Sequence, residues 1–360
     1  MPPVLKIKIK ETLLIYLIIW FVAGLNWFLI GPRFEFLAGL PEWKVLSFIL
    51  GGNVVMGFFC GLFYLLLERF AFRRVSVPKL FLIMMGMDIG LAIVFIPLFF
   101  TLFSASGIIE PDYTLLEFIT DPIIRLAFLY GVVVNIAAPI LIEVNYLLGP
   151  GNLLRLIRGE YYMPKESERI FMFLDLRSST AIAEKLGHVQ YSRFIQDCFY
   201  DLSVVQRYGA EIHQYVGDEA VLTWRPKQGL SNANCIRAFY AFCSRLHSKK
   251  SQYIERYGIM PDFKAGINIG SVMIAEIGDR KRDIAYHGDA INTAARIQSM
   301  CNELGEQLLV SDSLLKQLEL PDSYLAISKG DYLLKGKKNE LTIHAVRKPS
   351  RIPVHALPAV

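Results

Sequence analysis

Two carboxylates stand at the ends of apolar runs in the second half of the chain. Asp175 closes the run Ile170-Phe-Met-Phe-Leu174, and Asp218 sits in the middle of Glu211-Ile-His-Gln-Tyr-Val-Gly-Asp-Glu-Ala-Val-Leu-Thr-Trp224. The first run is unbroken, the pattern of a strand buried on both faces. The second reads as a hairpin turning at Gly217-Asp218. After Asp175, Ser178-Ser179-Thr180 supplies N-cap residue types before the helical pattern of residues 181–186. A carboxylate beside a new helix N-terminus can hold a cation, while the free backbone N–H groups and the helix dipole hold an anion. A capping role for Asp175 and a turn role for Asp218 are the plain alternatives. Two strands that each end in an Asp are, however, what two-metal phosphoryl transfer requires.

A second pair lies further on. Asn292 and Arg296 are four residues apart in a helical pattern and share a face, among the small residues Ala290, Ala294 and Ala295. An Asn and an Arg on a small-residue face can serve a phosphate, the Arg as its charge clamp. A surface salt bridge is the alternative for Arg296 taken alone.

The elements that position these residues alternate. A strand runs to Asp175, helices cover residues 179–208, the hairpin covers Glu211–Trp224, and a helix covers residues 232–257. Strands follow at Asp262–Ile269 and Val272–Ile277, then a short strand, a turn and a helix within Arg282–Arg296. This order predicts an α+β domain with helices on a mostly antiparallel sheet. The five cysteines have no CxxC or other metal spacing and read as buried thiols in a reducing compartment.

The first part of the chain is of another kind. A hydrophobic fraction of 53% and a mean hydropathy of +0.38 exceed those of a purely soluble protein, and the excess lies before residue 150. Four apolar stretches, Leu13–Ile30, Val45–Leu67, Leu80–Leu102 and Pro122–Leu148, match the roughly 20 residues that span a bilayer. Lys6, Lys8 and Lys10 precede the first. Arg69, Arg73, Arg74 and Lys79 fill the second loop, while the third carries Glu110, Asp112, Glu117 and Asp121. The positive-inside bias therefore predicts a cytoplasmic N-terminus and a cytoplasmic second half, in a plasma or inner membrane. The N-terminal apolar run, without a small-residue cleavage site, reads as an anchor. Each stretch holds a polar residue near mid-depth, Asn26, Asn53, Asp88 and Asn135, either as packing glue or as a sensing site. The expected domains are a four-helix anchor at 1–148, a linker at 149–168 with a short amphipathic piece, the α+β domain at 169–346 and a loose tail at 347–360. A net charge of +5 is mild and spread out, so no nucleic-acid partner is expected.

Four motifs of the second half, Phe173-Leu-Asp-Leu-Arg-Ser-Ser-Thr180, Tyr215-Val-Gly-Asp-Glu219, Phe263-Lys-Ala-Gly-Ile-Asn-Ile-Gly270 and His287-Gly-Asp-Ala-Ile-Asn-Thr-Ala-Ala-Arg296, occur in one order. Together they resemble the catalytic domain of the class III nucleotidyl cyclases, adenylate and guanylate cyclases with a ferredoxin-like palm fold. The resemblance covers roughly Arg169 to Val346. It implies that Asp175 and Asp218, with the carbonyl of Leu176, hold two divalent cations, Mg or Mn. It implies that Asn292 and Arg296 act on the transition state, and that Lys264, Lys335 and Lys337 join Ser178, Ser179 and Thr180 on the phosphates. It also implies a head-to-tail homodimer with shared sites, converting a nucleoside triphosphate, with ATP the expected one, to a cyclic nucleotide and pyrophosphate. Two positions depart from the family pattern. Gln214 stands where adenylate cyclases carry a base-selecting Lys, and Ala285 stands in place of Asp or Thr. Competing readings are a cyclase for another base and a catalytically degenerate receptor or dimerisation domain. A diguanylate cyclase is a third, suggested by Gly217-Asp218-Glu219 and opposed by Val216 and by the Asn292/Arg296 pair.

Overall fold

The computed structural model describes residues 3–37, 39–70, 77–110, 112–149, 158–280, 282–337 and 339–349. Arg73 and Arg74, most of the expected amphipathic linker piece and the last eleven residues of the tail lie outside them. The chain divides into two compact units, Met1–Leu148 and Gly149–Val360.

In the first unit, α1 (Pro3–Ile30), α2 (Glu42–Phe70), α3 (Val77–Ala105) and α5 (Pro122–Leu148) are long and apolar enough to cross a membrane. Between the last two, a short α4 (Leu115–Thr120) was not expected. A capping box makes it: the Thr114 hydroxyl accepts from the Glu117 N–H, and the Glu117 carboxylate accepts from the Thr114 N–H at 2.7 Å. Tyr16, Trp20 and Ala23 of α1 pack with Cys60 and Tyr64 of α2, Met84 and Met87 of α3 and Ala138 and Ile142 of α5. Leu29, Leu82, Ile93, Leu129 and Val133 face outward, a surface that suits lipid and not water. Helix contact inside a bilayer depends on close backbone approach. Gly57 and Gly61, four apart on α2, provide it. A Cβ at Gly57 would lie 2.9 Å from the Trp20 Cβ, and one at Gly61 3.1 Å from the Tyr16 Cβ. Asn135 donates to Asp88 at 2.5 Å. Asn26 accepts from Tyr130 at 3.2 Å, while Asn53 bonds its own helix at the Ile49 carbonyl.

The second unit is built on one eight-stranded sheet, with order β2-β3-β1-β4-β6-β8-β7 and β5 paired to β4. The strands are β1 (Lys165–Leu176), β2 (Glu211–Val216), β3 (Glu219–Trp224), β4 (Phe263–Ile277), β5 (Asp283–His287), β6 (Leu308–Ser311), β7 (Leu325–Tyr332) and β8 (Leu341–Arg347). All pairings are antiparallel except β4 with β6. The two strands expected at Asp262–Ile269 and Val272–Ile277 are one 15-residue strand, since Gly270-Ser271 stays in register with β1. The helix expected over 232–257 is two, Asn234–Ser248 and Lys250–Tyr257, broken at Lys249. Lys249 leaves the helix to pair with Asp201 at 2.6 Å.

Period-two geometry assigns the faces of β1. Ile170, Met172, Leu174 and Leu176 join Phe194, Trp224, Phe239 and Phe242 in the core beneath the helices of residues 179–257. Phe171 and Phe173 point the other way, against Ala290 and Ala294 of the helix Asp289–Ser299, here α10 after α6 (Ser179–Leu202), α7 (Pro226–Leu230), α8 (Asn234–Ser248) and α9 (Lys250–Tyr257). Asp175 is on this second face. Two glycines of β4 let α10 sit against the sheet. A Cβ at Gly270 would lie 2.9 Å from the Ala290 Cβ, and one at Gly266 only 2.2 Å from the backbone nitrogen of Gln298. Because the neighbour at Gly266 is backbone, Gly266→Ala should push α10 off the sheet and cost about 1–3 kcal/mol of stability. Chemical denaturation followed by the fluorescence of Trp224, fully buried, measures this; an unchanged midpoint would contradict the packing argument.

Candidate active site

Asp175 ends β1 in register with Glu219 of β3 on one side and Lys264 of β4 on the other. The β2–β3 turn at Gly217-Asp218, with Gly217 at φ 62, brings Asp218 to the same end of the sheet. Lys264 Nζ lies 3.2 Å from Asp175 Oδ2, and Gln298 Nε2 donates to that oxygen at 2.9 Å. Burial raises the Asp175 carboxyl above the usual range; Lys264 opposes the rise and the Asp218 charge adds to it. Glu219, half-buried beside both, is pushed up to about 7, first by burial and then by the Asp175 and Asp218 charges. Lys264 thus lies against Asp175 and acts on Glu219 as well.

This donor set fits a hard divalent cation. Carboxylates of Asp175 and Asp218 and the Leu176 carbonyl are oxygen ligands of the kind Mg and Mn take, and their mutual repulsion is relieved by added positive charge. Among the described residues no three His, Cys, Asp or Glu side chains form a complete metal cage. A site of two carboxylates that leaves other positions to phosphate and water accords with that.

The helix start beside Asp175 differs from the expected capped end. Ser178 occupies the N-cap position in a left-handed conformation, φ 55, and its side chain makes no capping bond. The first N–H groups of α6, at Ser179 and Thr180, are therefore left to another acceptor. Arg177 holds this corner: its N–H donates to the Asp262 carbonyl at 2.8 Å and its guanidinium to the Glu306 carbonyl at 2.5 Å.

Among the described residues, no hydrogen bond or ion pair joins Asn292 or Arg296 to Asp175. On α10 the buried stripe is Ala290, Thr293, Ala294, Ile297 and Gln298, and Gln298 is the residue that reaches Asp175. Arg296 lies two positions before it, about 200° around the helix. Asn292 is exposed and Arg296 partly so. The turn carrying Lys335 and Lys337 joins Arg296 instead. A Cβ at Gly336 would stand 3.4 Å from Arg296 Nη2, and Lys337 pairs with Asp289 in the first turn of α10. Lys335 is exposed. The sequence-predicted residues therefore form two groups, Asp175, Leu176, Asp218, Lys264 and the α6 start in one, and Asn292, Arg296, Lys335 and Lys337 in the other.

The two positions expected to read the base lie on β2 and β5, which meet where the His213 and Tyr286 rings stand 4.8 Å apart. A β-bulge between Ile212 and Gln214 re-aims this stretch. Gln214 is exposed and Ala285 half-buried.

The family model of the adenylate and guanylate cyclase catalytic domain matches residues 161–347, more than half of the chain. The chain belongs to this cyclase family. It is similar to adenylate cyclase 2 of Rhizobium meliloti (strain 1021), 34% identical over 203 residues that cover 56% of each protein. It is also similar to an adenylate cyclase of Anabaena cylindrica, 24% identical over 181 residues, 49% of this chain and 36% of that one. The chain thus spans about half the length of these relatives, or less. The structure of a bacterial light-regulated adenylyl cyclase shares the fold, with a TM-score of 0.53 at 18% identity over 63% of this chain and 66% of that one. Domains of this family are generally metal-dependent.

Gln298 and Glu219 escaped the sequence reading, although both left a signal. Gln298 is a polar residue on the buried stripe of an amphipathic helix, which calls for a partner. Glu219 directly follows a proposed metal acid. A third such residue is Glu306, whose side chain binds Lys329 of β7 at 2.5 Å and Arg347 of β8 at 3.0 Å, holding the hairpin that carries Lys335 and Lys337 in the cyclase domain. The Arg347 hydrogen bond, then Lys329, hold the Glu306 carboxyl below its usual range. A depressed carboxyl contributes stability above its unfolded value, which is lost as pH falls through the lower folded value. Glu306→Gln should therefore cost about 1–3 kcal/mol at pH 7 and less as pH drops below about 4. Urea midpoints of both proteins from pH 3 to 7 give the comparison, and parallel curves would show that the charge carries no pH-linked stability.

Proposed function

We propose that the chain is a membrane-anchored nucleotidyl cyclase that works as a head-to-tail homodimer and prefers ATP. The observation that carries this reading is the separation around α10. Asp175 meets Gln298 on one side of the helix, and Asn292 and Arg296 lie on the other. One chain then offers the acid half of a site and the amide-guanidinium half of another, and two chains complete both. The printed names of the relatives from Rhizobium meliloti and Anabaena cylindrica support the substrate.

In this reading the ribose 3′-hydroxyl gives up its proton to solvent as its oxygen attacks the α-phosphorus of the same nucleotide; the new P–O bond closes the ring as the bond to the pyrophosphate oxygen breaks. Bound divalent cations supply a lowered 3′-hydroxyl pKa and charge neutralisation on the phosphates. Asp175, Asp218 and the Leu176 carbonyl hold them. The open N–H groups near Ser178, Ser179 and Thr180, together with Lys264, receive phosphate oxygens. From the second chain, Asn292 orients the ribose and Arg296 stabilises the charge on the five-coordinate phosphorus, with Lys335 and Lys337 on the leaving pyrophosphate. The catalytic half faces the cytoplasm, as the charge bias of the loops implies.

Mixing tests the shared site. Asp175→Ala and Arg296→Ala should each lower kcat by about 100-fold or more, and equal mixtures should regain activity because one heterodimer site keeps every group. No recovery after confirmed subunit exchange would mean that the site lies within one chain.

Gln214 and Ala285 govern the base. A Lys can only donate, whereas the Gln amide donates and accepts, and its orientation follows its neighbours. Ala285 adds no polar side-chain contact. A lost polar contact is worth about 1–3 kcal/mol, roughly tenfold to a hundredfold in discrimination, so GTP should be turned over measurably. Gln214→Lys with Ala285→Asp should sharpen the preference for ATP. The kcat/KM values for ATP, GTP, CTP and UTP decide this, and a preference above about a hundredfold for a base other than adenine would overturn the substrate while leaving the reaction in place.

A further inference from the structure

We infer that the membrane-helix unit holds a small organic cation, an amine or ammonium with an apolar body, in the cavity between its helices. The cavity is about 250 Å³, larger than the roughly 150 Å³ space that takes a benzene-sized guest. Its wall is aromatic, with Trp20 and Trp27 of α1, Phe95 and Phe99 of α3 and Tyr130 of α5. Among the described residues one acid lines it, Asp88 of α3, only 7% exposed. Asp88 Oδ1 accepts from Asn135 at 2.5 Å, whereas Oδ2 has no hydrogen-bond partner among the described residues. No Lys, Arg or His lines the cavity among the described residues.

Two independent features select the sign of the guest. A carboxylate within an apolar bundle is costly unless paired, and the amide of Asn135 brings no charge. Aromatic faces carry negative potential and bind ammonium groups. Both favour a cation, and the carboxylate disfavours an anion. The apolar remainder of the wall matches the body of such a guest. This inference concerns the first unit alone and does not depend on the cyclase reading.

The test uses the full chain in lipid nanodiscs and calorimetric titration with benzyltrimethylammonium, corrected against protein-free nanodiscs. The comparison ligands are neopentylbenzene, its neutral isostere, and phenylacetate. Saturable binding of the ammonium is expected, with both comparison ligands at least about tenfold weaker. Asp88→Asn keeps the shape, removes the charge and should weaken binding by about tenfold or more. Gly52→Leu leaves Asp88 intact and fills the cavity, because a Cβ at Gly52 meets only Phe99 Cζ, at 3.8 Å; it should abolish binding. Helix content and monodispersity identify the variants that fold, and either one suffices. No saturable binding to the folded wild-type chain, equal affinity for the neutral isostere, or unchanged affinity in a folded variant would overturn the inference.

Discussion

The contact between α10 and β4 is the constraint on which the catalytic half depends. At Gly266 the helix backbone comes so near the sheet that no side chain fits between them. This closeness fixes the rotation of α10 as well as its distance. Gln298 must face the sheet, where Asp175 lies, and Asn292 and Arg296 must then face away. A helix held farther off by larger residues could turn, and the division of the site residues into two groups would no longer follow from the packing. The proposed need for a second chain would then follow from two hydrogen atoms in place of methyl groups.

Much of this was legible in the sequence. The unbroken run before Asp175 is a strand covered on both faces, with Trp224 and Phe239 on one side and Ala294 on the other. The hairpin around Gly217-Asp218 has the expected strands. Boundaries set by non-local contacts were not legible. Gly270 looks like a strand break, yet pairing with β1 carries the strand through it. The helical pattern of 232–257 continues across Lys249, but that residue turns aside toward Asp201. Ser178 has the composition of an N-cap and does not act as one, because its backbone adopts a left-handed conformation at the corner held by Arg177. Gln298 and Glu306 depend on partners far along the chain, and periodicity carries no record of them.

The membrane-helix unit meets its packing requirement by different means. Apolar area gives little preference for helix over lipid, so contact depends on shape and on polar pairing. Gly57 and Gly61 supply the shape against Trp20 and Tyr16, a small-residue spacing present in the sequence and readable from it. Asn135 and Asp88 supply the polar pair. The cavity beside Asp88 interrupts the packing of the bundle.

Electrostatics gives the proposed dimer a direction. One face of the cyclase domain gathers Asp175, Asp218 and Glu219, with Lys264 paired to Asp175. The other gathers Arg296, Lys335 and Lys337 with Asp289. Head-to-tail pairing sets an acidic half-site against a basic one, twice. Head-to-head pairing would set three carboxylates against three, adding like charge to a cluster in which burial first, and then the Asp175 and Asp218 charges, already raise Glu219 to about 7. Complementary charge selects register and rejects wrong arrangements more effectively than it adds affinity. A triphosphate with its cations fits between halves of opposite sign, its phosphates toward the basic group and the metal charge toward the acids. In the proposed dimer, the charge pattern that would order the two chains is thus the same one that would orient the substrate.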